Sequence, residues 1–317
     1  MIVTSAGIGL TLVQLSEIRS KDSRGLRMEI LLLIMVPLLI IDFVFGIDFT
    51  KDSDPPAPDI NGTTGDDTLD GTGEGEEIYA DAGNDEVRAG SGDDLVQAED
   101  GDDQVLGQDG DDLIYGGAGN DLAYGGAGND TIWLGDGSDR LTDSFELPDF
   151  DAASEGNFAG DDKVTGGAGD DFLIDWLGSD TLRGDLGNDL IVGVDDDETS
   201  APDLLEGGWG QDYLVGDDGD TLTGGGFGDE FNVLLNEEDD AAVTITDFDS
   251  ADEQLYLSVD EQVFAGATEE DLTMEVDPDT GDISVFLMGQ KVVHLVDPAG
   301  GFSLDSVFLP DWIQPAA

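Results

Sequence analysis

An aliphatic side chain returns every nine residues from Leu69 onward, at Leu69, Ile78, Val87, Val96, Val105, Ile114, Ala123, Ile132 and Leu141. The nine units that carry them begin at residues 62, 71, 80, 89, 98, 107, 116, 125 and 134, and the best copies read GGAGNDLAY (116–124) and GGAGNDTIW (125–133). Glycines at positions one, two and four permit positive φ, so the first six positions predict a tight turn. The last three, x-U-x with U aliphatic, predict a very short strand whose alternation sends U to one face. A second block keeps the phase for four units from 157, 166, 175 and 184, with Val164, Leu173, Leu182 and Ile191 as its aliphatic positions. A third is looser and contains one unit that is a residue short. Segments 143–156 and 193–202 break the phase and predict loops.

The two ends follow other patterns. Ile30 to Ile41 is apolar throughout apart from Pro37, Asp42 interrupts, and Phe43 to Ile47 continues. This predicts an N-terminal hydrophobic helix over 30–47, of marginal length for a membrane span. No small-x-small cleavage site follows, which favours an uncleaved anchor over a removed signal. Arg19, Lys21, Arg24 and Arg27 precede the run and would keep the N-terminus cytoplasmic; a start at Met28 would delete those bases. At the other end, VTITDF (243–248), QLYLSV (254–259), DLTMEV, DISVFL and VVHLV alternate around the turn DPDTG (277–281). Residues 233–317 therefore predict an antiparallel β segment. The expected organisation is 1–60 hydrophobic segment and linker, 61–142 first repeat block, 143–156 loop insertion, 157–232 second and third blocks, and 233–317 C-terminal segment.

Charge changes the picture. Seventy-five acids face ten bases, a formal net charge of −65, and all of it falls after residue 51, since residues 1–51 sum to zero. Such a surface repels phosphates, so nucleic acid is excluded as a partner and cations are the natural ones. With no Cys and one His, His294, thiolate sites, Cys nucleophiles and multi-His zinc centres are excluded. The acids are ordered, not diffuse. Position six is Asp67, Glu76, Asp85, Asp94, Asp103, Asp112, Asp121, Asp130 and Asp139 in the first block, Asp162, Asp171, Asp180 and Asp189 in the second, and Asp203, Asp212, Asp220 and Asp229 in the third. A solvated acidic tail has no reason to keep Gly, Asp and an aliphatic residue in phase.

The pattern G-G-x-G-x-D-x-U-x resembles the calcium-binding repeat of the RTX (haemolysin-type) family. The resemblance implies an all-β protein built on a parallel β-roll. Two units make one coil with a strand on each side, U residues from both sheets form a thin core, and turns of units i and i+2 stack on one edge. It also implies multiple Ca²⁺ ions between stacked turns. The ligands would be the sixteen position-six aspartates above, without Glu76, together with turn carbonyls, an all-oxygen set that suits Ca²⁺ better than Mg²⁺. Pairing same-side units within each block gives roughly eleven sites. Around Glu74 and Glu76 the pattern weakens and a poorly loaded first coil is expected. ITDFDSADEQLYL (245–257) resembles the segment that follows the repeats in RTX proteins exported by type I secretion, which implies export machinery as a partner at the C-terminal segment.

Outward positions sort by face. Leu95, Leu113, Tyr115 and Trp133 share one sheet of the first block, and Phe172, Ile174, Leu190 and Val192 share one sheet of the second. These apolar faces either pack against one another or the C-terminal segment, or serve self-association. His294 reads as a structural strand residue. The expectation is an exported or surface-anchored calcium-binding protein that is not an enzyme. Competing classes are a secreted hydrolase or an adhesin whose repeats are scaffold.

Overall fold

In the computed structural model, residues 18–21, 27–30, 59–141, 160–195, 201–217, 219–235, 241–299, 302–310 and 313 are described. The chain divides into two units, Met1–Pro55 and Pro56–Ala317. In the first, strand Ile18–Lys21 pairs antiparallel with Arg27–Ile30. Residues 31–47 of the expected hydrophobic helix lie outside the described residues, while Ile30, where that helix was to begin, ends a strand. Among the described residues no helix is long and apolar enough to cross a membrane.

The second unit is two sheets of eleven and thirteen strands. Consecutive repeat units alternate between them, so each strand pairs in parallel with the strand two places away in sequence: Leu113–Ala118 lies between Leu95–Asp100 and Thr131–Asp136. One coil is therefore two units, as expected for the roll. The strands are longer than the x-U-x reading. Leu113–Ala118 occupies positions seven to nine and the first three of the next unit, leaving only three residues for the turn. Gly117 pairs with Gly135 inside the ladder at φ +125°, a conformation an L side chain resists, so position-two glycine bends the strand toward the turn without ending it.

The aliphatic positions form the core. Val87, Val96, Ile114, Leu173, Leu182 and Ile191 are completely buried, and only Leu69, at the open end, is partly exposed. Burying a Leu or Ile side chain contributes about 1.5–3 kcal/mol. The core is nonetheless thin, because most units contribute a single large apolar residue.

The interruptions leave the stack unbroken. Thr131–Asp136 pairs directly with Lys163–Ala168, and Thr181–Leu186 with Leu204–Trp209. The three blocks are one continuous roll.

The antiparallel expectation for 233–317 holds for only part of that segment. Val243–Ile245 adds in parallel to Thr221–Gly226, and Gln254–Val259 in parallel to Glu230–Leu235, which itself crosses the expected boundary at 232. Val307–Phe308 and Gln290–Leu295 extend the same two ladders, again in parallel. Among the described residues of this segment, antiparallel pairing is confined to the meander Leu272–Val276, Ile283–Leu287, Gln290–Leu295. Alternation marks a half-buried strand but carries no direction; the open edges of two parallel ladders set it here. Phe231, Phe248 and Phe302 close the end of the core with ring centroids 5.9 and 5.7 Å apart.

The two apolar outer stripes lie on opposite sheets. Leu95, Leu113, Tyr115 and Trp133 belong to the thirteen-stranded sheet, and Phe172, Ile174, Leu190 and Val192 to the eleven-stranded one. Their outward faces point away from each other, so they do not pack together. Tyr115 and Trp133 stack at 4.9 Å.

Candidate metal centre

The alternation of sheets sorts the sixteen predicted aspartates onto two edges. Asp67, Asp85, Asp103, Asp121, Asp139, Asp171, Asp189, Asp212 and Asp229 line one. Asp94, Asp112, Asp130, Asp162, Asp180, Asp203 and Asp220 line the other. All except Asp67 are at most 9% exposed.

Each row is tied by one repeated bond. The amide of a position-six residue donates to Oδ1 of the position-six aspartate one coil later, as Asp94 does to Asp112 at 2.9 Å. Fifteen such bonds occur among the described residues, eight on one edge and seven on the other. Pairing within blocks gave roughly eleven steps; the ladder exceeds it because it crosses both interruptions, from Asp130 to Asp162 and from Asp180 to Asp203.

Position five forms a second, exposed ladder of opposite polarity. Amides of Asn84, Asp102, Asn120 and Ser138 donate to the side-chain oxygens of Asp66, Asn84, Asp102 and Asn120, each one coil earlier. Along this row amide side chains thus separate carboxylates that would otherwise stack directly, whereas on the other edge Asp93 and Asp111 follow one another.

The inner row has no such spacer. Oδ2 of twelve of the sixteen aspartates is buried and accepts no hydrogen bond. Where position one is glycine, that oxygen sits against it: a Cβ on Gly107 would come within 2.3 Å of Asp112 Oδ2, and one on Gly125 within 2.2 Å of Asp130 Oδ2. Parallel strands are about 4.8 Å apart, so neighbouring unit charges in such a row repel by roughly 3–4 kcal/mol at an effective dielectric near 20. Burial accordingly pushes the carboxyls up, Asp94 and Asp103 to about 6, Asp112, Asp121 and Asp130 to about 7, and Asp203 and Asp220 to about 8. Amide donation to each Oδ1 opposes the shift without cancelling it. The row calls for a proton or a cation at every step, and its all-oxygen chemistry suits a hard cation.

Comparison with known proteins agrees with this chemistry. The family model of the RTX calcium-binding nonapeptide repeat (4 copies) matches residues 59–87, 70–105, 79–113, 106–141, 157–191 and 199–222. The chain carries RTX calcium-binding repeats. No curated protein matches it. A similar solved structure is the extracellular lipase LipA from Serratia marcescens, 17% identical, with a TM-score of 0.18 over 83% of this chain. The match covers 42% of that lipase's length.

Five buried acids lie outside the predicted set, and two of them continue the RTX rows. Glu76 takes a regular place, donating its amide to Asp94 Oδ1 at 2.6 Å and lying 3% exposed, so the row continues through the expected weak point. Glu253, 7% exposed and pushed up to about 8 chiefly by burial, stands one coil beyond Asp229: Gln254 donates to the Asp229 carbonyl. Glu253-Gln254-Leu255-Tyr256 has the acid-x-aliphatic-x order of a repeat, and that was the available signal. Asp175, Asp195 and Asp217 are also buried, and none of them stands at position six. His294 is a strand residue, as expected, with Nε2 4.0 Å from Asp282 Oδ2.

Proposed function

We propose that this chain is an exported, calcium-folded RTX repeat protein with a structural or surface role and no catalytic one. The observation that carries the reading is the repeated, buried and unpartnered Oδ2 of stacked turns, in seven of the twelve cases beside a position-one glycine that leaves it space. The position-six aspartates of stacked turns, with turn carbonyls, would hold Ca²⁺, which supplies positive charge to an otherwise self-repelling row. Where Ca²⁺ is scarce, like-charge repulsion keeps the chain expanded. Where it is abundant, binding free energy becomes folding free energy, at an apparent affinity of about 10⁻⁴–10⁻³ M, typical of extracellular modules.

The same reading assigns the C-terminal segment to export machinery and the exposed Tyr115–Trp133 stack to self-association. Cell fractionation with sequencing of the mature N-terminus distinguishes release from retention by residues 30–47. The central test is circular dichroism of the full chain with chelator and then with millimolar Ca²⁺. A coil-to-β transition reversed by chelator supports the proposal; spectra that superimpose would sink it.

A further inference from the structure

One turn on the second edge departs from the repeat. In the first two blocks, position one of a unit holds no acid except at Asp175. Where glycine stands at that position in the flanking units, a Cβ would come within 2.3 Å of Asp171 Oδ2 at Gly166 and 2.1 Å of Asp189 Oδ2 at Gly184. Position one thus faces the unpartnered oxygen of its own turn, and the unit 175–183 puts a second carboxylate there. Asp175 is 6% exposed, and ligand oxygens of Asp162, Asp175 and Asp180 all lie within 4.8 Å of one another.

One oxygen of this group, on Asp180, is left without a partner. The Asp162 amide donates to Asp180 Oδ1 at 2.8 Å, and the Trp176 amide to Asp175 Oδ1 at 3.0 Å. Oδ2 of Asp180, a residue 2% exposed, is buried and accepts nothing. A regular step offers two aspartates from stacked turns; here three carboxylates converge around one bare, buried oxygen. Affinity of oxygen cages for Ca²⁺ rises with the number of charged ligands.

We propose that Asp175 turns the step between Asp162 and Asp180 into a three-carboxylate divalent-cation site, which binds Ca²⁺ more tightly than the other steps of the rows and fills first. The proposal rests on the calcium reading of the repeats. It assigns to Asp175, an off-pattern residue, the role of converting an ordinary step into a nucleus for loading. The turn that follows carries Trp176, 53% exposed, which gives the site its own optical antenna.

The experiment is titration of the full chain with Ca²⁺ by calorimetry and with Tb³⁺ by tryptophan-sensitised emission. The parent is compared with Asp175→Gly, which restores the repeat, Asp175→Asn, which keeps the shape without the charge, and Trp176→Phe. The parent should show an early phase of about one ion, roughly tenfold tighter than the rest. Both Asp175 variants should lose that phase and keep the later one. Trp176→Phe should keep the calorimetric phase while the first Tb³⁺ ion loses its sensitised emission. An Asp175→Gly isotherm that overlays the parent's overturns this site and leaves the repeat reading standing. A parent chain that takes up no Ca²⁺ overturns both.

Discussion

The backbone amide of Asp112 donates to Oδ1 of Asp130 at 2.8 Å, eighteen residues along the chain, while Oδ2 of the same Asp130 is buried and accepts nothing. One carboxylate is therefore divided in function. Its first oxygen fixes the spacing of two coils, and its second offers an uncompensated charge to the space between turns.

That division makes Asp112→Asn a two-sided substitution. Asparagine retains an oxygen to accept from Asp94 but removes a buried charge, so at pH 8 in chelator the variant should hold more β structure than the parent. In excess Ca²⁺ it should bind fewer ions and melt lower. Calorimetric stoichiometry and thermal melts in both conditions check the reversal; a variant weaker in chelator as well would contradict it.

Without Ca²⁺, protons should substitute for it. Folded-state values of about 6 to 8 lie above the 3.8 of an ordinary aspartate, chiefly through burial, so protonation favours the roll. That contribution is complete below the unfolded value and is lost as pH rises through 6 to 8. In chelator, circular dichroism should show β content growing from pH 8 to pH 5. Ca²⁺ addition at pH 6 should release protons into a weakly buffered solution. A pH-independent chelated state would rule out the proton substitution.

Gly119→Ala tests the turn. Gly119 has φ +137°, and an added Cβ would come within 2.0 Å of the Gly101 carbonyl oxygen on the coil before it. Both the strain and the clash act against folding, so a loss above about 1 kcal/mol is expected, with a raised Ca²⁺ midpoint. Wild-type stability in a Ca²⁺-loaded melt would mean that this backbone geometry is wrong.

Core and ladder respond differently to truncation. Ile132, 1% exposed, should lose about 2–5 kcal/mol as alanine without changing the number of ions bound at saturation. Loss of an ion in Ile132→Ala would show the row to be less independent of the core than its hydrogen bonds imply.

The 14-residue insertion should be dispensable. Asp130 donates directly to Asp162 across it at 2.7 Å, so deleting 143–156 restores an eighteen-residue spacing and leaves the ladder as it is. The deletion should keep the circular dichroism and Ca²⁺ midpoint of the parent, since loop length costs little. A collapse of the two-block cooperativity would contradict the continuous roll.

Much of this protein is legible residue by residue. The nine-residue return of Val87, Val96, Val105 and Ile114 specified strand, face and core, because each unit makes the same local choice of glycine turn and short strand. Phase alone marked the sixteen aspartates that the structure stacks on two edges. Glu253 and Asp175 were missed for different reasons: the first follows a break in phase, and the second sits at a position where the repeat carries no chemistry.

What the sequence determined by itself is the local unit and its net need for cations, since both follow from side-chain type at fixed spacing. Only the tertiary structure decided which units neighbour one another. Stacking across two interruptions joined three blocks into one roll, gave fifteen ladder bonds and turned the C-terminal strands parallel. It also brought Asp175 beside Asp162 and Asp180. Periodicity records a repeat along the chain, whereas a ladder forms between coils that need not be consecutive in it.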